Sequence, residues 1–205
     1  RQLMVIMKRQ GACVMAVYRE GRMEDAAILE KTVFSDSIRK LEAEYRKAGN
    51  REAVRQVFAE LFGEWGRRFR EEAASLGICY LHCSILMRTG ELRLTLYGRE
   101  FYLDSSRLEK AWYPPAFFRQ YEQDMAQIMD SLRKVHPRIY PYEEDAVRFQ
   151  YAEYYYAATE VLCRDMLSEI QESGEYRKLK RSEDFYFFFG RWRGEARKLK
   201  WTEDI

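Results

Sequence analysis

One stretch decides the fold expected from this sequence: residues 79–97 read CYLHCSILMRTGELRLTLY. Apolar residues recur at every second position on both sides of Thr89-Gly90, which is the period of a β-strand. The pattern therefore predicts a β-hairpin with one buried and one exposed face. We expect the buried face to consist of Leu81, Cys83, Ile85, Met87, Leu92, Leu94 and Leu96. We expect the other face to carry His82, Ser84, Arg88, Arg93 and Thr95.

Most of the remaining chain has helical spacing, with apolar residues three and four positions apart. Two helices are predicted before the hairpin, joined at Gly49-Asn50 and ending at Gly77. Pro114-Pro115 begins a third helix, and Pro141 begins the longest one, which ends at Ser173-Gly174. The buried stripe expected along the longest helix is Val147, Tyr151, Tyr155, Ala158, Leu162 and Met166.

Several short segments are less regular. Residues 101–103 are expected to form a third strand, and the Ser106-to-Glu109 spacing is typical of a capping box that begins a short helix. The aromatic segment 182–199 fits one side of a helix. Residues 3–18 fit either two buried strands or a helix that is broken at Gly11.

These elements predict an α+β fold, with a mainly helical body of four to five helices and a small two- to three-stranded antiparallel β-meander. We expect a single domain over residues 1–205, because no linker or repeat divides the chain. Its C-terminal segment, residues 175–205, is basic and aromatic.

The composition limits the classes of function. The chain has 205 residues, with 35 Lys and Arg against 33 Asp and Glu, so its total charge favours neither nucleic acid nor membrane as a partner. No apolar run is long enough to span a membrane. We interpret the four cysteines as reduced thiols and expect a cytoplasmic protein. Because the chain begins with Arg1, we expect a tag remnant, a processed product or a fragment.

No catalytic, cofactor or metal motif emerges. Cys79, His82 and Cys83 are close in sequence, but on a strand His82 points away from the two cysteines, so we predict no metal site there. No phosphate-binding loop, dinucleotide fingerprint or nucleophile elbow occurs, and we predict neither cofactor nor catalytic residues. Carboxylates along the longest helix fit a solvated face. An enzyme of unrecognised type that uses paired carboxylates is the alternative.

Aromatic residues and arginines favour binding to another protein, because both are common at interface hot spots. The tyrosines of residues 151–156 cover more than one helix face, so we expect some of them to contact a protein partner or a second copy of the chain. The predicted partner-binding residues are Tyr154, Tyr156 and Trp192. The chain is thus predicted to be a non-catalytic interaction module, either an adaptor or a subunit of a larger assembly. The alternative is a nucleic-acid-binding protein that uses Arg177, Lys180, Arg191 and Arg193.

Overall fold

The structure is a computed structural model that describes residues 20–103 and 105–199. The predicted elements within residues 3–18 lie outside these ranges. The described helices are α1 (Glu20–Arg46), α2 (Ala48–Arg68), α3 (His82–Leu86), α4 (Pro115–Val135), α5 (Pro141–Asp165), α6 (Leu167–Glu172) and α7 (Gly174–Lys178). The described strands are β1 (Ala73–Tyr80), β2 (Leu92–Tyr97), β3 (Arg107–Trp112), β4 (Arg181–Arg191) and β5 (Ala196–Leu199).

The strands form one five-stranded mixed sheet in the order β3-β2-β1-β4-β5. Strands β1 and β4 are parallel neighbours at its centre, whereas the other adjacent pairs are antiparallel. The predicted two- to three-stranded antiparallel meander is therefore wrong, and the helices also outnumber the four or five expected. The chain enters the sheet twice, before and after α4 to α7, and this long connection is what permits the parallel pair.

The predicted hairpin is half correct. Its second strand is β2, but its first strand is β1, which ends at Tyr80 and pairs with β2 from Ser75↔Tyr97 to Tyr80↔Leu92. Residues 82–86 form the short helix α3, so Cys83 is exposed rather than buried, and Thr95 is buried rather than exposed. Gly90 has a φ of 62°, and a Cβ there would overlap the Phe118 ring. Glycine suits this position because it adopts a positive φ without strain and has no Cβ to overlap the ring.

Other predicted boundaries also change where strands replace helices. Helix α2 ends at Arg68, not at Gly77, because the next apolar residues belong to β1. The segment after Ser106 is β3 rather than a short helix, and residues 101–103 form a 3₁₀ turn rather than a strand. The C-terminal aromatic segment forms the β4–β5 hairpin, in agreement with the preference of aromatic residues for strands.

The helices build the main core on one face of the sheet. Alternate residues of the central strands, such as Leu76 and Ile78, point into this core together with Phe187 and Phe189. Cys79, Tyr97 and Phe188 form a smaller buried cluster on the other face. The predicted stripe of the longest helix is confirmed as buried, although α5 ends at Asp165 and α6 continues after a break at Met166.

Candidate protein-interaction surface

Two of the three tyrosine and tryptophan residues predicted to bind a partner lie inside the protein. Tyr154 is 7% exposed and Tyr156 is 3% exposed. Tyr156 stacks on Tyr80 of β1, with ring centroids 4.0 Å apart and an interplanar angle of 15°. Trp192 follows β4 and remains half-buried. The wide tyrosine face of α5 is thus used for packing between helices and sheet, and it leaves little surface for a partner.

A buried carboxylate explains why so many tyrosines fit within the helical layer. Asp124 of α4 accepts hydrogen bonds from the hydroxyls of Tyr151 at 2.6 Å and Tyr155 at 2.7 Å. The Ser37 hydroxyl and the Gln120 side-chain amide donate to the same carboxylate, at 2.7 Å and 2.8 Å. The hydroxyls of Tyr151 and Tyr155 are satisfied, so burial of these two rings is not penalised by unpaired hydroxyls.

The ends of the two parallel strands bring together three of the residues named from the sequence: Tyr156, Arg191 and Trp192. The Trp192 backbone N–H donates to the Tyr80 carbonyl at 3.1 Å, which places the end of β4 beside the end of β1. His82 lies between the rings of Tyr80 and Phe149, at centroid distances of 5.9 Å and 5.5 Å.

The charges at these strand ends affect each other. Burial raises the pKa of Tyr80 to about 12, and burial followed by the positive charge of Arg191 lowers the pKa of His82. Burial raises the pKa of the Glu153 carboxyl, which Arg191 opposes. At neutral pH the group therefore contains a protonated phenol and a neutral imidazole beside a guanidinium. It is a polar cluster that ties α5 to the sheet.

The four cations of the nucleic-acid alternative are all exposed but do not form one patch. Arg177 and Lys180 lie before β4, whereas Arg191 and Arg193 lie at its far end. Arg181 pairs with Ala73 and Arg191 pairs with Tyr80, so the two ends are separated by roughly 23 Å at about 3.3 Å per residue of β1. This distance exceeds a Debye length of about 8 Å, so the two groups act as separate charges at physiological salt.

The described residues contain no group of three or more His, Cys, Asp and Glu side chains that could hold a metal ion. Cys79 and Cys163 are buried free thiols and Cys83 is an exposed one. Burial raises the pKa of the Cys79 thiol to about 12 and also raises that of Cys163. No helix in the described part of the chain is both long enough and apolar enough to cross a membrane.

The exposed aromatic surface lies at the start of α5, not at its centre. Tyr140 and Tyr142 flank Pro141, and their rings stack in parallel with centroids 5.7 Å apart and an interplanar angle of 7°. They are 44% and 59% exposed. Met87 and Val135, which are 70% and 65% exposed, belong to the two segments that meet α5 at this point. A stacked pair of exposed aromatic rings is typical of a protein contact, because aromatic residues are enriched at interfaces.

Glu144 holds these segments together. Its carboxylate pairs with Arg133 of α4 at 3.1 Å and with Arg88, which follows α3, at 3.6 Å. Met87 immediately precedes Arg88, Val135 lies two residues after Arg133, and Tyr142 lies two residues before Glu144. The shared ion pair therefore joins the three segments that carry these exposed apolar residues. We call this the Tyr142 surface, which consists of Met87, Arg88, Arg133, Val135, Tyr140, Tyr142 and Glu144.

The start of α5 is firmly fixed to the helical layer. The Tyr140 backbone N–H donates to the Glu143 carboxylate at 2.8 Å, which satisfies a free amide at the helix start. The same carboxylate pairs with Arg22 of α1 at 2.7 Å, and both side chains are largely buried. The two tyrosines thus project from a rigid base, so little conformational entropy would be lost when a partner binds them.

Sequence reasoning missed this surface, although a signal was present. Tyr142 is five residues before Val147 and so lies roughly 140° away from the buried stripe of α5. A large aromatic residue placed off the stripe and next to Pro141 is a candidate for exposure. Met87 was missed for another reason, because it was assigned to the buried face of a predicted strand.

Comparison of the chain with protein-family models, with curated proteins and with solved structures finds no match in any of the three.

Proposed function

We propose that this chain is a protein-interaction module and that the Tyr142 surface is its contact site. The observation that carries the proposal is the exposed, stacked pair Tyr140 and Tyr142 on a fixed helix start. Tyrosine and arginine are among the residues most often found at interface hot spots, and methionine is also enriched at interfaces. The Tyr142 surface combines all three.

The charge around the surface favours an acidic partner. Four exposed cations, Arg88, Arg133, Lys134 and Arg138, lie on the segments around the tyrosine pair. They outnumber the acidic residues of the same segments that are not buried, Asp130, Glu144 and Asp145, of which Asp130 and Glu144 pair with Arg133. A second copy of the chain would bring the same cations together, which is unfavourable. An acidic segment with apolar side chains would match both the cations and the rings. We therefore propose a different protein as the partner, with such a segment at its contact site.

Site-specific crosslinking tests this proposal. A photo-reactive phenylalanine analogue at position 142 should capture an acidic protein in cells of the organism of origin, whereas the analogue at position 103 should not. Leu103 is a suitable control because it is 88% exposed. Leu103 also lies away from the Tyr142 surface. Arg99, four residues before it, pairs with Glu72 just before the start of β1, whereas Met87 of the Tyr142 surface follows the end of β1.

The captured protein must then bind in purified form. We expect Tyr142→Ala to weaken its affinity about five- to tenfold and Arg133→Glu to weaken it further, while Leu103→Ala leaves it unchanged. Equal capture from both positions, or equal affinity for Tyr142→Ala and the unmodified chain, would contradict the proposal. Capture of a second copy of the chain would contradict the acidic partner.

A further inference from the structure

The turn end of the β4–β5 hairpin, residues 191–198, carries positive charge that the described part of the chain does not neutralise. Arg191, Arg193, Arg197 and Lys198 are all exposed, and none of them lies within ion-pair distance of a carboxylate among the described residues. The one acidic residue of this segment is Glu195, which is also exposed. The segment therefore has a surplus of positive charge.

Neighbouring acidic residues do not cancel this surplus. Glu153 of α5 is half-buried beside Arg191, and burial raises the pKa of its carboxyl. Glu183 and Asp184 lie near the start of β4, at the end of the strand away from the turn. Even with Glu153 and Glu195 both ionised, the four cations outnumber the acids at the turn.

The cations at the opposite edge of the sheet are arranged differently. Arg93 of β2 pairs with Glu91 at 2.6 Å and with Glu109 of β3 at 3.1 Å, and Arg107 pairs with Glu109 at 2.9 Å. Those cations are neutralised within the protein, whereas the cations of residues 191–198 are not. Positive charge left at one end of one hairpin favours an anionic ligand there.

Two aromatic rings lie beside these cations, on the face of the sheet opposite the helices. Tyr186 and Trp192 are half-buried and pack against the cluster of Cys79, Tyr97 and Phe188. The Lys198 ammonium lies 4.1 Å from the centroid of the Tyr186 ring, and the Arg193 guanidinium lies 5.9 Å from that of Trp192. Aromatic rings interspersed with cations are the arrangement by which proteins hold single-stranded nucleic acid.

The surface between the two rings carries no protruding side chain. Phe188 and Gly190 follow Tyr186 on the same face of β4. Gly190 has no side chain, and the Phe188 ring lies over Gly77, where a Cβ would be 2.4 Å from it. Tyr186 and Trp192 are six residues apart, which is roughly 20 Å at about 3.3 Å per residue. This distance suits several linked nucleotides and is too long for one phosphate to bridge.

We propose that this surface binds single-stranded nucleic acid, with bases stacked on Tyr186 and Trp192 and phosphates paired with Lys198 and Arg193. Both cations are exposed side chains that can move from the ring to a phosphate. A stacked base replaces a weaker contact, because a cation–π contact at an exposed site is worth less than base stacking. The site is separate from the Tyr142 surface.

Fluorescence anisotropy tests the charge. The probe is a labelled single strand of about 12 thymidylates, within the usual site size of about 4–16 nucleotides. We expect Arg193→Gln combined with Lys198→Gln to weaken binding about tenfold and to reduce the salt slope by about 1.4, because each phosphate contact contributes about 0.7. The matched control, Arg177→Gln combined with Lys180→Gln, removes the same charge at the other end of β4 and should change the affinity less than about twofold.

The rings are tested separately. Trp192→Ala should weaken binding about tenfold and leave the salt slope unchanged, because stacking releases no counterions. Trp192→Phe keeps a ring and should retain most of the affinity, and circular dichroism checks the fold of both variants. Tyr142→Ala removes a ring outside this surface and should bind like the unmodified chain. A duplex of the same length should bind about tenfold more weakly than the single strand, because its bases are already stacked and paired.

Four results would overturn the proposal. They are a single strand that fails to bind, a duplex that binds as tightly as the single strand, equal losses in the two double variants, and a Trp192→Ala variant that binds like the unmodified chain. Light scattering adds a further test, since a dimer that Trp192→Ala dissociates would assign these rings to a second copy of the chain instead.

Discussion

Two groups of tyrosines on α5 are alike in sequence but have opposite environments. Tyr151 and Tyr155 at the centre of the helix are almost fully buried, and their hydroxyls share Asp124. Tyr140 and Tyr142 at its start expose about half of their side chains and contact each other. The difference shows that a tyrosine-rich helix does not by itself present a tyrosine-rich surface. A buried acceptor converts one group into core, and the other group remains available to a partner.

The largest expected effect concerns the carboxylate that holds the buried group. Asp124→Ala leaves the hydroxyls of Tyr151, Tyr155 and Ser37 without their acceptor, and we expect the free energy of unfolding to fall by about 3–5 kcal/mol. Urea denaturation measures this. Asp130→Ala on the same helix is the control, because Asp130 is 75% exposed and should change stability by less than about 0.5 kcal/mol. Equal losses for the two variants would show that the Asp124 cluster does not stabilise the core.

A second prediction concerns the pH dependence of stability and the buried carboxyl of Glu30 on α1. Burial, followed by the charge of Glu30, raises the pKa of Tyr154. Glu30 is fully buried, and burial raises the pKa of its carboxyl from 4.5 to about 8. Because the folded state then holds the proton more tightly than the unfolded state, the free energy of unfolding should fall as pH rises from about 5 to about 8. At roughly 1.4 kcal/mol per pKa unit, the loss is on the order of a few kcal/mol.

Glu30→Gln should remove this loss and stabilise the protein at pH near 8, since the amide carries no charge. Denaturation curves across the pH range measure the effect. Glu24→Gln, at an exposed position of the same helix, should leave the pH dependence unchanged. A pH profile that is identical in the Glu30→Gln variant and the unmodified chain would show that Glu30 is not the responsible group.

A smaller effect compares single hydroxyls in the two tyrosine groups. Tyr155→Phe removes one hydrogen bond to Asp124 and should cost about 1 kcal/mol. Tyr140→Phe removes an exposed hydroxyl and should cost less than about 0.5 kcal/mol. Chemical denaturation of the two variants sharpens the comparison with one change of the same kind in each group. A larger loss for Tyr140→Phe would reverse it.

The long amphipathic helices were predictable from the sequence, whereas the sheet was not. The stripes of α4 and α5 repeat over more than five turns, so one misplaced residue does not change the result. Strand β1 is buried on both faces and therefore lacks the alternation that identifies a half-exposed strand. Its Ala73 and Leu76 instead continue the helical spacing of α2. In β4, Phe187 and Phe189 face the helices, while Phe188 faces the opposite side. The segment nevertheless fits a helix in sequence, because Phe185, Phe188, Phe189 and Trp192 recur at three- and four-residue intervals.

The sequence predicts an aromatic contact surface on α5 but not which of its aromatic residues are exposed. Aromatic and arginine content favoured α5 as a contact element, but the choice of Tyr154 and Tyr156 assumed that one stripe is all a core can bury. These rings pack against α1 and against β1, as the contacts of Tyr154 with Phe34 and of Tyr156 with Tyr80 demonstrate. The number of neighbours around a helix depends on tertiary structure, which periodicity does not contain.

The smallest expected effect on stability is that of Tyr142→Ala. This change removes an exposed ring and should alter the free energy of unfolding by less than about 0.5 kcal/mol, while it weakens partner binding by 1 kcal/mol or more at a hot spot, about fivefold. Denaturation and titration of the same preparation measure both quantities. A loss of several kcal/mol in stability would assign Tyr142 to the core and remove it from the proposed contact site.

Tyrosine nitration read by mass spectrometry tests most directly the claim that the start of α5, and not its centre, meets the partner. In the free protein, tetranitromethane should modify Tyr140, Tyr142 and the half-exposed Tyr186, and should spare Tyr151 and Tyr155. Bound partner should protect Tyr140 and Tyr142 but not Tyr186, which lies on the face of the sheet opposite the helices. Nitration of Tyr151 and Tyr155 as fast as that of Tyr142, or protection of Tyr186 in place of the tyrosine pair, would contradict this account.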